Sequence, residues 1–311
     1  MNLWQQFIST ENFQRALANA IRGKRHKPSV VRFMKNADEN LEKIRQSIIA
    51  GEYKTSNYRV MKITDPKPRD IHILPFAPDR IAHHAIMNVL APLWTDGFIR
   101  DTYACIPGRG LHSASRRAME FCRRNKYVLK CDIRKFYPSI AHDNMFAVVC
   151  DAVPDPRMQK ILSEIIYSHI EPVGMPIGNL CSQWMGNLFL ARMDDYIKQT
   201  LRVRDYVRYS DDFCLYSNDK RQLAQWRRAI GEFLAGQLGL EFSKSEIYPI
   251  ANGVDFVGYR HFKDFILLRK RTSRRIATRM RRSPTIVQAA SAHGWLKHAC
   301  SYNFRKSIVF L

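Results

Sequence analysis

A chain of 311 residues with 46% hydrophobic and 11% aromatic content can bury a substantial core in two or three subdomains, which excludes a disordered or fibrous class. Its 50 Lys and Arg against 28 Asp and Glu give a net charge of +22, which favours a polyanionic partner, nucleic acid before an anionic membrane surface. Seven cysteines without a Cys-X-X-Cys pair, no N-terminal apolar core and no long apolar run argue against a disulfide scaffold, a secreted protein or a membrane span. His293, His298 and Cys300 lack a fourth ligand at a zinc-like spacing, so reduced thiols in the cytoplasm are the expectation.

In chain order, apolar residues at helical spacing (Phe13, Ala16, Leu17, Ile21) predict a helix over 11–21 that stops at Gly23. The basic run 22–35 is expected to be interrupted at Pro28. Leu41, Ile44 and Ile48 predict a second helix over 37–51, with Gly51 as its cap. Two short β-prone runs, 58–63 and 71–75, flank a proline-rich turn carrying Lys62, Lys67 and Arg69, and a helix over 79–90 follows.

Tyr127 to Ile133 reads as a buried strand in which Asp132 is the lone acid. A carboxylate there costs energy unless it is paired or metal-bound. Next comes Val173-Gly174-Met175-Pro176-Ile177-Gly178-Asn179, whose glycines let a ligand approach the backbone, leading into a helix over 184–197. Tyr206 to Tyr216 reads as a hairpin with Ser210, Asp211 and Asp212 at its tip. Two such carboxylates repel by about 4 kcal/mol at 4 Å and an effective dielectric of 20, so positive charge belongs beside them. A solvent-facing acidic turn is the plain alternative. With Asp132 on a neighbouring strand, a site for two Mg²⁺ ions acting on a phosphoryl group fits better. After Asp264 the chain has no acidic residue but eleven cations, among them Arg269, Lys270, Arg271, Arg274, Arg275, Arg279 and Arg282. An acid-free face of this kind suits contact with phosphates.

Taken together, these residues resemble the reverse transcriptases, in family order from Tyr58 to Tyr259. Ile99 to His112 resembles the fingers motif, Asp132 to Tyr137 the first palm motif and Tyr209-Ser210-Asp211-Asp212 the second. Leu238 to Glu246 resembles the following helix-to-turn motif, and Val254 to Tyr259 the primer grip. The resemblance implies an α+β right-hand polymerase fold, with fingers, a palm of antiparallel sheet plus helices, and a short helical thumb. Residues 1–57 would form an N-terminal helical extension, 58–131 and 141–190 interleaved fingers and palm, 132–140 and 191–262 palm, and 263–311 a basic thumb.

It also implies roles. Asp132, Asp211, Asp212 and the Ile133 carbonyl would hold Mg²⁺. Lys62 and Arg69 would meet the dNTP triphosphate, Tyr137 would exclude a ribose 2′-hydroxyl, Ile177 and Gly178 would face the nascent pair, and Lys244 would protonate pyrophosphate. Most prokaryotic relatives read Gln-Gly-X-X-X-Ser-Pro where this chain has Ile177-Gly178-Asn179-Leu180-Cys181-Ser182-Gln183. Ile177, Ser182 and Gln183 match the pattern of diversity-generating retroelements, whose enzymes copy a template-repeat RNA into adenine-mutagenised cDNA. The implied partners are the template RNA, the cDNA/RNA duplex and a small basic oligomeric accessory protein, in a bacterial or phage-infected cytoplasm without membrane attachment. No appended maturase, endonuclease, integrase or RNase H region is expected. A group II intron, retron or phage-defence reverse transcriptase is the alternative, and a nucleic-acid-binding protein with this fold but no chemistry the minor one.

Overall fold

Some helix starts follow caps written in the sequence. The computed structural model describes residues 2–64, 68–169, 171–281 and 284–309. After α1 (Leu3–Phe7), the Ser9 hydroxyl accepts from the Asn12 amide at 3.2 Å and opens α2 (Thr10–Ile21). The run 22–35 departs from expectation. Pro28 begins α3 (Pro28–Met34) instead of breaking the chain, because at the first helical position its missing N–H costs nothing. Then come α4 (Ala37–Ile49) and, after a kinked turn over 76–80, α5 (Ile81–Gly97), which extends beyond the predicted 79–90.

The remaining helices are α6 (Leu111–Arg124), α7 (Phe136–Ser139), α8 (His142–Ala152), α9 (Pro156–Ile166), α10 (Leu180–Asp195) and α11 (Lys220–Phe233), followed by α12 (Lys270–Met280), α13 (Ile286–Lys297) and α14 (Tyr302–Val309). The α10 helix starts four residues before the predicted Trp184. Among the described residues, no helix is long and apolar enough to cross a membrane. All seven cysteines are free thiols, and Cys122, Cys131, Cys181 and Cys214 are buried.

The chain divides into two compact units. The first comprises Met1–Phe98, Lys135–Arg192 and Leu238–Leu240. Here α2 packs on α5, and the buried Asn12 side chain donates to the Phe7 and Ala85 carbonyls at 2.8 and 3.0 Å. The antiparallel pair β1 (Arg59–Ile63) and β2 (Arg69–Ile73) sets Lys62 opposite Asp70. The turn expected around Lys67 lies outside the described residues, as does Arg282 of the basic tail.

The second unit comprises Ile99–Arg134, Met193–Gln237 and Glu241–Leu311. Its centre is an antiparallel sheet in the order β4 (Tyr206–Tyr209), β5 (Asp212–Ser217), β3 (Tyr127–Ile133), β6 (Phe242–Pro249). Period-two alternation sends Val128, Cys214 and Tyr216 to one face, where Ala114, Ala118, Phe121 and Cys122 of α6 cover them. Leu129, Cys131, Phe213 and Leu215 fill the opposite face, where α11 packs. Each fully buried Val, Leu or Phe contributes about 1.5–3 kcal/mol relative to exposure. A smaller sheet, β7 (Val254–Phe256), β8 (Tyr259–His261) and β9 (Ile266–Leu268), leads into α12–α14, which bury Ile276, Ala292, Leu296 and Ile308 together.

Candidate active site

Strand register brings the acids of the second unit together. Asp132 on β3 lies directly opposite Asp212, the first residue of β5. Directly opposed residues in an antiparallel pair hold their Cβ atoms about 4.5–5.5 Å apart. Asp211 precedes Asp212 in the two-residue turn between β4 and β5, where Ser210 adopts φ +59°. All three are only partly buried. On the other side of β3, the register slips between Asp132 and Ile133, the Ser243 hydroxyl donates to the Asp132 carbonyl at 3.2 Å, and the Ile133 side chain is buried.

The positive charge that the carboxylates call for comes in part from a residue the sequence reading passed over. Lys130 stands two places before Asp132 on the same face of β3, and its ammonium ion-pairs with Asp212 and lies 5.0 Å from the centroid of the Phe256 ring. Burial pushes the Lys130 ammonium below its ordinary value, while Cys214, Asp255 and Asp132 pull it back up. A lone lysine in an apolar strand, in phase with the aspartate, was the available signal.

Among the described residues, no three His, Cys, Asp or Glu side chains converge as a ready-made metal cage. Mg²⁺ does not require one, since it takes one or two carboxylates and completes its shell with water and substrate phosphate. Facing carboxylates at a strand end, open to one side, fit that ion.

Lys244 is the β6 partner of Asp132, so the expected helix-to-turn character of 238–246 gives way to strand from Phe242 onward. The Lys244 side chain is exposed and meets Glu246 at 3.2 Å. Arg269 is not part of a free basic surface: its guanidinium pairs with Asp255 and its amide donates to the Gly258 carbonyl at 3.1 Å. Lys270, Arg271, Arg274, Arg275 and Arg279 are exposed along α12.

The first unit holds the other predicted contacts. Lys62 and Arg69 are exposed on β1 and β2. The Ile177 carbonyl accepts from the His72 amide at 2.8 Å, tying the glycine loop to β2. Gly178 has φ +121°, and a Cβ there would come within 2.8 Å of the His72 carbonyl oxygen, so no other residue fits. Asn179 is buried and donates to the Tyr58 hydroxyl at 3.1 Å. Half-buried Tyr137 packs on Phe136 with ring centroids 4.9 Å apart, and a Cβ at Gly186 would lie 3.0 Å from the Tyr137 ring. Ser182 is buried, whereas Gln183 is exposed.

Several known proteins are similar to this chain. The family model for reverse transcriptase (RNA-dependent DNA polymerase) matches residues 64–261. Protein YkfC of Escherichia coli (strain K12) is 25% identical over 281 residues, covering 75% of this chain and 72% of that protein. The group II intron-encoded protein LtrA of Lactococcus lactis subsp. cremoris is 19% identical over 297 residues, covering 72% of this chain and 50% of LtrA. Among solved structures, apo telomerase from Candida tropicalis superposes with a TM-score of 0.52 at 11% identity, over 69% of this chain and 55% of that one. Telomerase from Candida albicans, in complex with a fragment of telomeric RNA, gives 0.54 at 10% identity, over 84% and 57%. The chain thus spans only about half the length of LtrA and of the telomerases, and the structural likeness establishes the right-hand polymerase fold alone. With a family match over well over half its length, on strands that carry the aspartates in register, the chain belongs to the reverse transcriptase (RNA-dependent DNA polymerase) family.

Proposed function

We propose that the chain is an RNA-directed DNA polymerase that extends a DNA primer on an RNA template. The observation that carries this is Asp132 facing Asp212 across adjacent strands, with Asp211 beside it in the turn. Asp132, Asp211, Asp212 and the Ile133 carbonyl would hold two Mg²⁺ ions, which when bound supply Lewis acidity to the primer 3′-hydroxyl and the triphosphate. Exposed Lys62 and Arg69 would attract the triphosphate, and Lys244, on the strand beside Asp132, would donate a proton to pyrophosphate. Tyr137 disfavours ribonucleotides by its bulk. The exposed cations of α12 track the template–product duplex through its phosphates, in a thumb formed by 263–311. Primer extension on RNA with dNTPs and Mg²⁺ tests this reading: wild type incorporates, and Asp211→Ala does not. A wild type that incorporates nothing, alone or with an accessory protein, overturns it.

The finer proposal is copying of a template-repeat RNA in a diversity-generating retroelement, with errors at adenines and a small basic accessory protein as partner, in the cytoplasm. Ile177, Ser182 and Gln183 support it. Isoleucine offers no amide hydrogen bonds beside a nascent pair, and discrimination by shape alone is worth roughly 1–3 kcal/mol. Sequencing the cDNA made by wild type and by Ile177→Gln decides the point: misincorporation opposite adenine falls in the variant, and an unchanged error spectrum removes Ile177 as its cause. The likeness to LtrA favours an intron-associated role as the second reading.

A further inference from the structure

Beneath the catalytic hairpin, on the face of the sheet away from Asp212, lies a fully buried ion pair with no part in the chemistry proposed above. Arg208 of β4 and Asp194 near the end of α10 are 0% and 1% exposed. The Arg208 Nε donates to Asp194 Oδ1 at 2.8 Å, and its Nη2 donates to Oδ2 at 2.6 Å, a bidentate fork. Asp194 accepts two further bonds, from the Tyr206 hydroxyl at 2.6 Å and the Thr102 hydroxyl at 2.8 Å. The backbone of Arg208 is gripped as well: its amide donates to the Asp101 carbonyl at 2.9 Å, and its carbonyl accepts from the Tyr103 amide at 3.1 Å.

The remaining arm reaches the active turn. Arg208 Nη1 donates to the carbonyl oxygen of Ser210 at 3.1 Å. Ser210 is the left-handed residue of the turn, at φ +59°, a conformation that serine rarely adopts and that persists only where its surroundings fix it. Its carbonyl belongs to the peptide unit that continues into Asp211.

We propose that Arg208 and Asp194 form a buried clamp that holds the Ser210–Asp211 peptide and so sets the direction in which Asp211 and Asp212 present their carboxylates. The inference rests on the polymerase reading for its consequence, but the clamp itself is geometry. Arg208 is a positioning residue, because it touches neither substrate nor the reacting atoms. A buried, fully satisfied ion pair is weak evidence for net stability, since well-packed apolar residues often replace such a pair without loss. What apolar residues cannot replace is the hydrogen bond to Ser210. Arginine is required for it: its planar fork occupies Asp194 with two nitrogens and leaves a third for the turn, whereas a lysine ammonium is a single point donor.

Two variants test the clamp. Arg208→Lys keeps the charge and loses the three-point geometry. Asp194→Leu/Arg208→Met removes both charges together, leaving no unpaired ion in the core. Each is compared with wild type by primer extension across a Mg²⁺ series and, independently of activity, by the thermal shift that Mg²⁺ with a dNTP produces in the catalytically silent presence of a 3′-dideoxy-terminated primer on RNA. The clamp predicts variants that remain folded at 25 °C, bind primer–template with unchanged affinity and show a kcat reduced 10- to 100-fold. The Mg²⁺ concentration for half-maximal rate rises at least threefold, and the Mg²⁺-induced thermal shift shrinks in parallel. A purely structural role lowers the melting temperature with and without Mg²⁺ by the same amount and leaves the Mg²⁺ dependence of the folded fraction untouched. That result in either variant overturns the proposal. A wild type that binds Mg²⁺ and dNTP but polymerises nothing would count against the polymerase reading, while the thermal shifts still decide the clamp.

Discussion

Two ion pairs sit on opposite faces of the same hairpin, and they differ in almost every physical respect. Arg208–Asp194 is sealed, and its carboxylate is saturated by the guanidinium and two hydroxyls. Lys130–Asp212 sits at the rim, with 15% and 31% of the side chains exposed, and its carboxylate faces Asp132 across the strands. Alternation along β4 and β5 enforces the separation: Arg208 pairs with Phe213 on the closed face and Tyr209 with Asp212 on the open one. The same two kinds of charge therefore do different work. A sealed pair fixes backbone geometry and cannot exchange partners, whereas a pair at the rim keeps part of the Asp212 side chain exposed beside Asp132 even though the paired atoms are covered.

The largest effect expected from breaking this comparison lies on the open face. Asp211→Ala or Asp132→Asn should lower primer extension at saturating Mg²⁺ by about 10³-fold or more, the several kcal/mol that metal charge gives a phosphoryl transition state, while the melting temperature moves by only a few degrees. On the closed face the ordering reverses. Arg208→Leu alone leaves Asp194 charged and buried without its cation, which should cost about 3–5 kcal/mol in urea unfolding. Removing Lys43 from its exposed pair with Glu39, where both side chains are more than half exposed, should leave the urea midpoint almost unchanged. Equal losses at the two sites would show that burial does not distinguish them.

The open face was legible in the sequence and the closed one was not. Asp132, Asp211 and Asp212 declare themselves because a carboxylate in an apolar run is conspicuous, and β3 falls over 127–133, where periodicity put it. Arg208 lies just as deep in such a run, yet an arginine beside Tyr209 reads as one more cation in a basic chain. Its partner is 14 residues away in sequence at the end of another element, and no local pattern links the two. Lys130 is intermediate, since its phase with Asp132 was visible although its target was not. β6 exists around Lys244 because β3 offers it hydrogen bonds, a long-range pairing that no local pattern announces. At Pro28 the error was one of position, since proline starts a helix as readily as it breaks one.

A moderate effect should come from Lys130→Met. The methionine fills the space of the aliphatic stem but removes a positive charge from the side of Asp212. The potential at the carboxylates then becomes more negative, and the Mg²⁺ concentration for half-maximal rate should fall several-fold, the opposite direction from Arg208→Lys. Isothermal titration of Mg²⁺ in the presence of dNTP measures the shift. Movement of both variants in one direction would mean that the two faces act through a common loss of order and not through charge and geometry separately.

A further effect is a slope with pH, and it arises from a cluster of neutral imidazoles instead of either ion pair. The His261 Nδ1 lies 3.1 Å from the Val254 carbonyl, which can only accept, so Nδ1 carries the proton and Nε2 accepts from the Ser115 hydroxyl at 2.6 Å. The Ser115 oxygen then accepts from His298 Nε2 at 2.8 Å, which fixes the second tautomer. Burial pushes both imidazoles down, His261 and His298 each to about 4. Between about pH 6.5 and 4 the unfolded chain binds protons that the folded chain refuses, so stability rises with pH across that window and is lost on acidification. His83 and His84, also lowered to about 4 chiefly by burial, add to the same slope. Replacing His298 with Gln removes one titrating group and should flatten, without abolishing, the fall in urea midpoint between pH 6.5 and 4.5. The Arg208→Lys variant, which keeps all four imidazoles, should show the wild-type slope from a lower starting stability. A slope altered by Arg208→Lys but not by His298→Gln would place the acid sensitivity in the sealed pair and not in the histidines.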